Sequence, residues 1–142
     1  MTDFSHLSIH ETITCLKRKD FSVSELIDFH VSSMENGREL NAFITETADI
    51  AREKAIHSDN RYLKGEENLL DGIPIGIKDM FCTKGIKTTA SSKMLENFIP
   101  PYESTVTQNL WNDGAILLGK LNNDEFATVS YTHLRAHETT EH

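Results

Sequence analysis

Residues 71–85, DGIPIGIKDMFCTKG, set a single lysine, Lys78, directly behind a short apolar run. The run at 73–77 has strand character. Pro74 removes a ladder donor and Gly76 offers no side chain to pack, so an edge or irregular strand is expected rather than a regular central one. Such a backbone suits a chain that bends around a site. A lysine at its end has two readings. It is a solvated loop cation beside Asp79, or burial penalises its ammonium form and it can accept a proton near neutral pH.

Working back from this segment, three helices can be drawn. Ile9, Ile13 and Leu16 recur at helical spacing and give a short first helix ending near Lys17 to Asp20. Ser22 and Glu25 form the S-x-x-E capping box of a second. Its face is Val23, Leu26, Ile27, His30, Val31 and Met34, and it ends near Gly37. His30 on that face reads as a packing histidine. LNAFIT, residues 40–45, reads as a short strand. A third helix follows, whose Ala48, Ala51 and Ala55 offer a small-residue face for close packing, and the polar stretch 62–68 ends it.

Working forward, Pro100 and Pro101 close a loop. Ser104 or Thr105 can cap a helix carrying Val106, Leu110 and Trp111, which Gly114 terminates. Ala115 to Leu118 is a short apolar run suited to a buried parallel strand, so the alternation of helix and strand argues for an α/β layered fold. GAILLGKL, residues 114–121, superficially matches the phosphate loop GxxxxGK[ST]. Its last position is Leu121, without the hydroxyl that holds magnesium, and a helix precedes it where a strand should, so nucleotide binding there is rejected.

Composition narrows the functional class. The chain has 142 residues, 38% hydrophobic and 25% charged, which is a globular rather than a disordered balance. Net charge is −8, from 14 basic and 22 acidic residues, and no basic run exceeds Lys17, Arg18 and Lys19. Direct nucleic-acid binding is therefore not expected. The first 20 residues lack the apolar core of a signal peptide and no apolar run approaches a membrane span, so a cytoplasmic location is expected. Cys15 and Cys82 have no CxxC or metal-finger spacing and read as two reduced thiols, with Cys82 near enough to Lys78 to share a pocket. Ser91 and Ser92, in GIKTTASS, read as turn or helix-cap residues. His133 and His137 stand i, i+4 beside Glu138, a spacing that could present two imidazoles to a metal, but they fall in a tail that is assigned no natural role.

DGIPIGIKD, followed by TKGIKTTASSKMLENFIPPYESTV and by GAILLGKLNNDEFA, resembles the amidase signature family. Within it the likeness is to the glutamine-hydrolysing A subunits of tRNA-dependent amidotransferases. It runs from about Leu7 to Ala127 and is densest from Leu70 onward. The resemblance implies the N-terminal portion of a layered α/β fold, with a mixed sheet flanked by helices. It also implies catalysis by a serine nucleophile, a second serine in a cis peptide, and a lysine, which Lys78 matches. The two serines belong to a glycine- and serine-rich stretch downstream of the DEFA block, and no residue of this chain matches them.

As partners, the resemblance implies B and C subunits of a heterotrimer, glutamine as substrate, and tRNA met indirectly through the B subunit. ATP and magnesium would be used through that partner, with no cofactor or metal in this chain. A stand-alone amide hydrolase of the same family and an inert fragment are the competing readings. Two departures stand out. Asn123 occupies a position usually held by methionine, and after Ala127 the sequence TVSYTHLRAHETTEH replaces the usual Met-Gly-Ser continuation. Residues 1–127 are accordingly expected to be part of an amidase signature domain, and 128–142 translated sequencing-adapter sequence.

Overall fold

The structure, a computed structural model, describes residues 3–128. The helices begin where the sequence supplies caps. Ser8 caps α1 (Ile9–Arg18) and Ser22 caps α2 (Val23–Asn36), each in a reciprocal capping box with Glu11 or Glu25. A 3₁₀ turn, Arg38–Leu40, leads into β1 (Phe43–Glu46), then α3 (Ala48–Lys64) and β2 (Pro74–Lys78). A long irregular connection reaches α4 (Thr105–Asn112), whose N-cap is Ser104, and β3 (Ile116–Leu121) follows.

The LNAFIT segment departs from expectation at its start. Leu40 ends the 3₁₀ turn and Asn41 takes a left-handed conformation, φ 50°, so the strand begins only at Phe43. An asparagine tolerates that conformation at little cost, which lets the chain reverse there.

The three strands form one mixed sheet in the order β1-β3-β2, with β3 parallel to β2 and antiparallel to β1. Thus β3 is central, and β2 is at the edge among the described residues. Its ladder with β3 is irregular, as Pro74 and Gly76 foretold: Ile75 pairs Leu117 but Gly76 pairs Gly119, leaving Leu118 as a bulge. The strand expected at 115–118 begins one residue later, at Ile116, and continues to Leu121, with Ile116 to Lys120 buried.

α2 and α3 pack together and against the sheet. Val23, Leu26, Ile27, Val31 and Met34 are buried on α2, facing the fully buried Ala51 and Ala55 of α3. Alanines at spacing i, i+4 let the two backbones approach closely, and each large α2 side chain removed from water contributes about 2 kcal/mol. Ile116 and Leu118 of β3 complete this core. His30 is half-buried, edge-on to Phe29 at 5.3 Å, and burial pushes its imidazole below its ordinary value, in keeping with a packing role.

Candidate functional site

Lys78 ends β2, registered against Leu121 on β3. Side chains alternate along a strand, so Ile77, opposite Lys120, faces one side of the sheet and Lys78 the other. Lys78 is half-buried. Among the described residues its ammonium makes no hydrogen bond and no ion pair, while its carbonyl accepts from the amide of Phe81 at 3.1 Å.

The residue after it is the opposite case. Asp79 is fully buried. Its Oδ2 accepts from the Thr89 amide at 3.0 Å and the Thr89 hydroxyl at 2.5 Å, and its carbonyl accepts from the Ala90 amide at 2.8 Å. Its amide donates to the Leu121 carbonyl at 3.0 Å, continuing the β2–β3 ladder by one step. Oδ1 has no hydrogen-bond partner, but Lys120 Nζ stands 3.7 Å from it.

Lys120 is also fully buried, and its Nζ donates to the Phe81 carbonyl at 2.7 Å and the Thr88 hydroxyl at 2.9 Å. Burial pushes its amine below the ordinary value, against upward pulls from Asp79, Cys82 and Glu103. Sequence reasoning missed this residue by meeting it only as the lysine of a false phosphate loop. One hint was present, a lysine near the end of a buried, largely apolar strand, but its partner Asp79 is reached only through the pairing of β3 with β2.

The TTASS segment is a tight turn, with Ala90 and Ser91 at φ 50° and 55°. It is tied on both sides. Ser91 Oγ donates to Asn122 Oδ1 at 3.3 Å and accepts from the Asn123 amide at 3.2 Å, Ser92 Oγ donates to Glu125 at 2.7 Å, and the Phe126 amide donates to the Ala90 carbonyl at 2.9 Å. Ser92 also caps the 3₁₀ turn Lys93–Leu95. The turn-and-cap reading of both serines therefore holds. Three blocks far apart in sequence, around Lys78, 88–92 and 120–126, meet at one end of the sheet.

Other candidates are placed elsewhere. Cys82 is half-buried, its Sγ 3.7 Å from the Tyr102 hydroxyl, and it is among the charges felt by Lys120. Both cysteines are free thiols. A cavity of about 490 Å³ is lined by Lys54, His57 and Arg61 of α3, Trp111 of α4 and residues 83–86; Lys78 does not line it. No group of three or more metal-ligating side chains occurs among the described residues, and His133 and His137 lie outside them. No helix among the described residues is long and apolar enough to cross a membrane.

Comparison with known proteins bears on the family and the fold. The family model for amidases matches residues 25–142. The chain is 54% identical over 130 residues to the glutamyl-tRNA(Gln) amidotransferase A chain of Rhodopseudomonas palustris (strain BisB18), covering 92% of this chain and 26% of that protein. It is 56% identical over 125 residues to the corresponding protein of Anaplasma phagocytophilum (strain HZ), covering 87% and 25%. The chain thus spans about a quarter of the length of the curated relatives it matches. Among solved structures, a vestigial protein complex bearing on the origins of an s-triazine catabolic enzyme superposes with a TM-score of 0.81 at 30% identity, covering 89% of this chain and 29% of that one. The peptide amidase of Stenotrophomonas maltophilia superposes at 0.82 with 24% identity, covering 88% and 26%, a likeness of fold. The chain belongs to the amidase signature family.

Proposed function

We propose that this chain is the N-terminal part of the glutamine-hydrolysing A subunit of a glutamyl-tRNA(Gln) amidotransferase, with Lys78 as its proton acceptor. The observation that carries the reading is the contrast between two lysines at one end of the sheet. Lys120 is fully engaged, whereas Lys78 is half-buried with an ammonium that has no partner among the described residues. A proton acceptor needs a nitrogen not already committed to other partners, and of the two lysines only Lys78 meets that condition among the described residues.

In this reading a serine outside the matched segment attacks the side-chain amide of glutamine, and its proton passes through a second serine to neutral Lys78. The amide nitrogen takes that proton back from Lys78 as it leaves as ammonia, and water hydrolyses the acyl-enzyme to glutamate. Ammonia then reaches the B subunit, where ATP and magnesium activate Glu-tRNA(Gln) for conversion to Gln-tRNA(Gln), and a C subunit joins the other two. The 114–121 segment does not fit ATP: its residues 116–121 are the central strand β3, with Lys120 turned inward onto Phe81 and Thr88. No step of the nucleotide chemistry therefore runs through them. Residues 128–142 are proposed to be adapter-derived.

The test begins with the source DNA read across the Ala127 codon. A frame continuing into Met-Gly-Ser and a glycine- and serine-rich loop supports the reading; a natural stop after the His142 codon counts against it. The full-length product, assembled with B and C subunits, should release ammonia from glutamine and lose at least about a thousandfold of that rate on Lys78→Ala. Ammonia release that needs no partner would favour the stand-alone amide hydrolase. Residues 1–142 alone should release none.

A further inference from the structure

We propose that Asp79 and Lys120 are a pair of positioning residues for Lys78, locking the turn behind β2 onto the 88–92 loop and so fixing the backbone from which Lys78 projects. The inference rests on the reading of Lys78 as proton acceptor, but its evidence lies in the pair itself.

Each member grips the same two segments. Lys120 holds the turn through the Phe81 carbonyl and the loop through Thr88 Oγ1. Asp79 belongs to the turn; its carboxylate holds the loop through the Thr89 amide and hydroxyl, and its backbone carbonyl accepts from the Ala90 amide. The ammonium and carboxylate are 3.7 Å apart, too far for a direct hydrogen bond, so their attraction balances charge while the directional bonds go to the backbone and the threonines. An apolar pair of similar volume would bury as easily and hold neither segment in register, because hydrophobic contact has no direction.

The loop needs such holding. Ala90 and Ser91 both occupy the left-handed region, which costs a non-glycine residue roughly 1–2 kcal/mol and persists only where surrounding bonds over-determine it. Asp79 supplies those bonds from the position adjacent to Lys78. Displacing Asp79 displaces Lys78, and proton transfer tolerates little displacement. The charged or titratable groups acting on Lys120 are Asp79, Cys82 and Glu103.

The experiment uses the 142-residue chain and two NMR readouts: amide exchange at Thr89 and Ala90, and the side-chain signals of Lys78. In the unaltered chain both amides should exchange at least about 100-fold more slowly than in an unstructured peptide. The double variant Asp79→Leu/Lys120→Met leaves no unpaired buried charge. It should keep a cooperative melt, lose at least about tenfold of that protection, and shift the Lys78 side-chain signals. Asp79→Asn/Lys120→Met retains an acceptor for the Thr89 amide and should recover part of both, which a merely space-filling role would not produce. If the leucine variant does not melt cooperatively, the asparagine variant decides by the same readouts.

Thr89 and Ala90 amides exchanging at free rates in the unaltered chain would overturn the proposal. So would Lys78 signals and loop protection that stay unchanged in the double variants. Neither readout depends on catalysis, whereas loss of the proton-acceptor role shows only as ammonia release surviving Lys78→Ala.

Discussion

Asp71 accepts two hydrogen bonds from Arg61, Nε to Oδ2 at 2.5 Å and Nη2 to Oδ1 at 2.7 Å, with the Asp71 side chain fully buried and the Arg61 side chain 34% exposed. The Ser58 hydroxyl and the Asn68 amide donate to the same carboxylate. Burial by itself would push this carboxyl up, but the Arg61, Ser58 and Asn68 donors together hold it below its ordinary value of 3.8. A depressed folded pKa contributes stability that is complete above 3.8 and is lost as pH falls through the lower folded value. Melting temperature followed downward from about pH 5 should therefore drop less steeply in Asp71→Asn than in the unaltered chain. Arg61→Ala, which strands the buried carboxylate, should cost on the order of 2 kcal/mol near neutral pH, a figure already reduced for the exposure of the guanidinium.

The N-terminus of α2 is capped twice. Ser22 and Glu25 form the local box, and Asp59 of α3 accepts from the Val23 amide at 2.6 Å, the Ser24 amide at 3.1 Å and the Ser24 hydroxyl at 2.5 Å. Ser22→Ala removes one local acceptor and should cost about 1 kcal/mol. Asp59→Ala removes three bonds and the link between α2 and α3, so denaturant titration should show a loss roughly twice as large.

Gly119 lies where β3 is flanked on both sides. A Cβ there would stand 2.5 Å from the Thr45 carbonyl oxygen and 2.8 Å from a Phe43 ring carbon, and the first of these is backbone that cannot swing away. Gly119→Ala should force β1 off β3 and destabilise the chain by roughly 2–3 kcal/mol. An alanine variant that melts like the unaltered chain would mean that β1 sits farther from β3 than described.

Tyr62 donates its hydroxyl to the Asp71 carbonyl at 3.0 Å. Burial chiefly, with the nearby Asp71 and Glu67 charges, pushes its phenol up to about 12 from an ordinary 10.0. Below about pH 10 its contribution to stability is complete. It is lost as pH rises from about 10 toward 12, because the unfolded chain releases the phenolic proton first. Phenolate absorbance should show a late titration step, near pH 12, that disappears in Tyr62→Phe.

The helices were legible because their signals are local. Ser22 with Glu25, and Ala51 with Ala55, carry their roles within a turn or two of chain. β1 was placed too early because Asn41 in a left-handed conformation, not the apolar Leu40, decides where extension begins. The place of Lys78 at the end of β2 was legible from the apolar run before it, whereas its proposed role came from the family resemblance. Lys120 was not legible, since its meaning comes from Asp79 and Thr88, which lie 41 and 32 positions away. Residues this distant come together only through the pairing of β2 with β3, which no local pattern encodes.

That pairing makes the two lysines separable by stability as well as by activity. Lys120→Met leaves the Asp79 carboxylate buried without its counter-charge and removes bonds to Phe81 and Thr88, so it should cost about 3 kcal/mol. Lys78→Met removes an ammonium with no partner among the described residues and keeps the half-buried stem in place. Its midpoint in denaturant should stay within about 0.5 kcal/mol of the unaltered chain, or rise slightly. A stability-neutral lysine at the end of β2 is what a site kept for chemistry would present. A Lys78→Met chain destabilised as much as Lys120→Met would instead make Lys78 a structural residue and remove the basis for its role as proton acceptor.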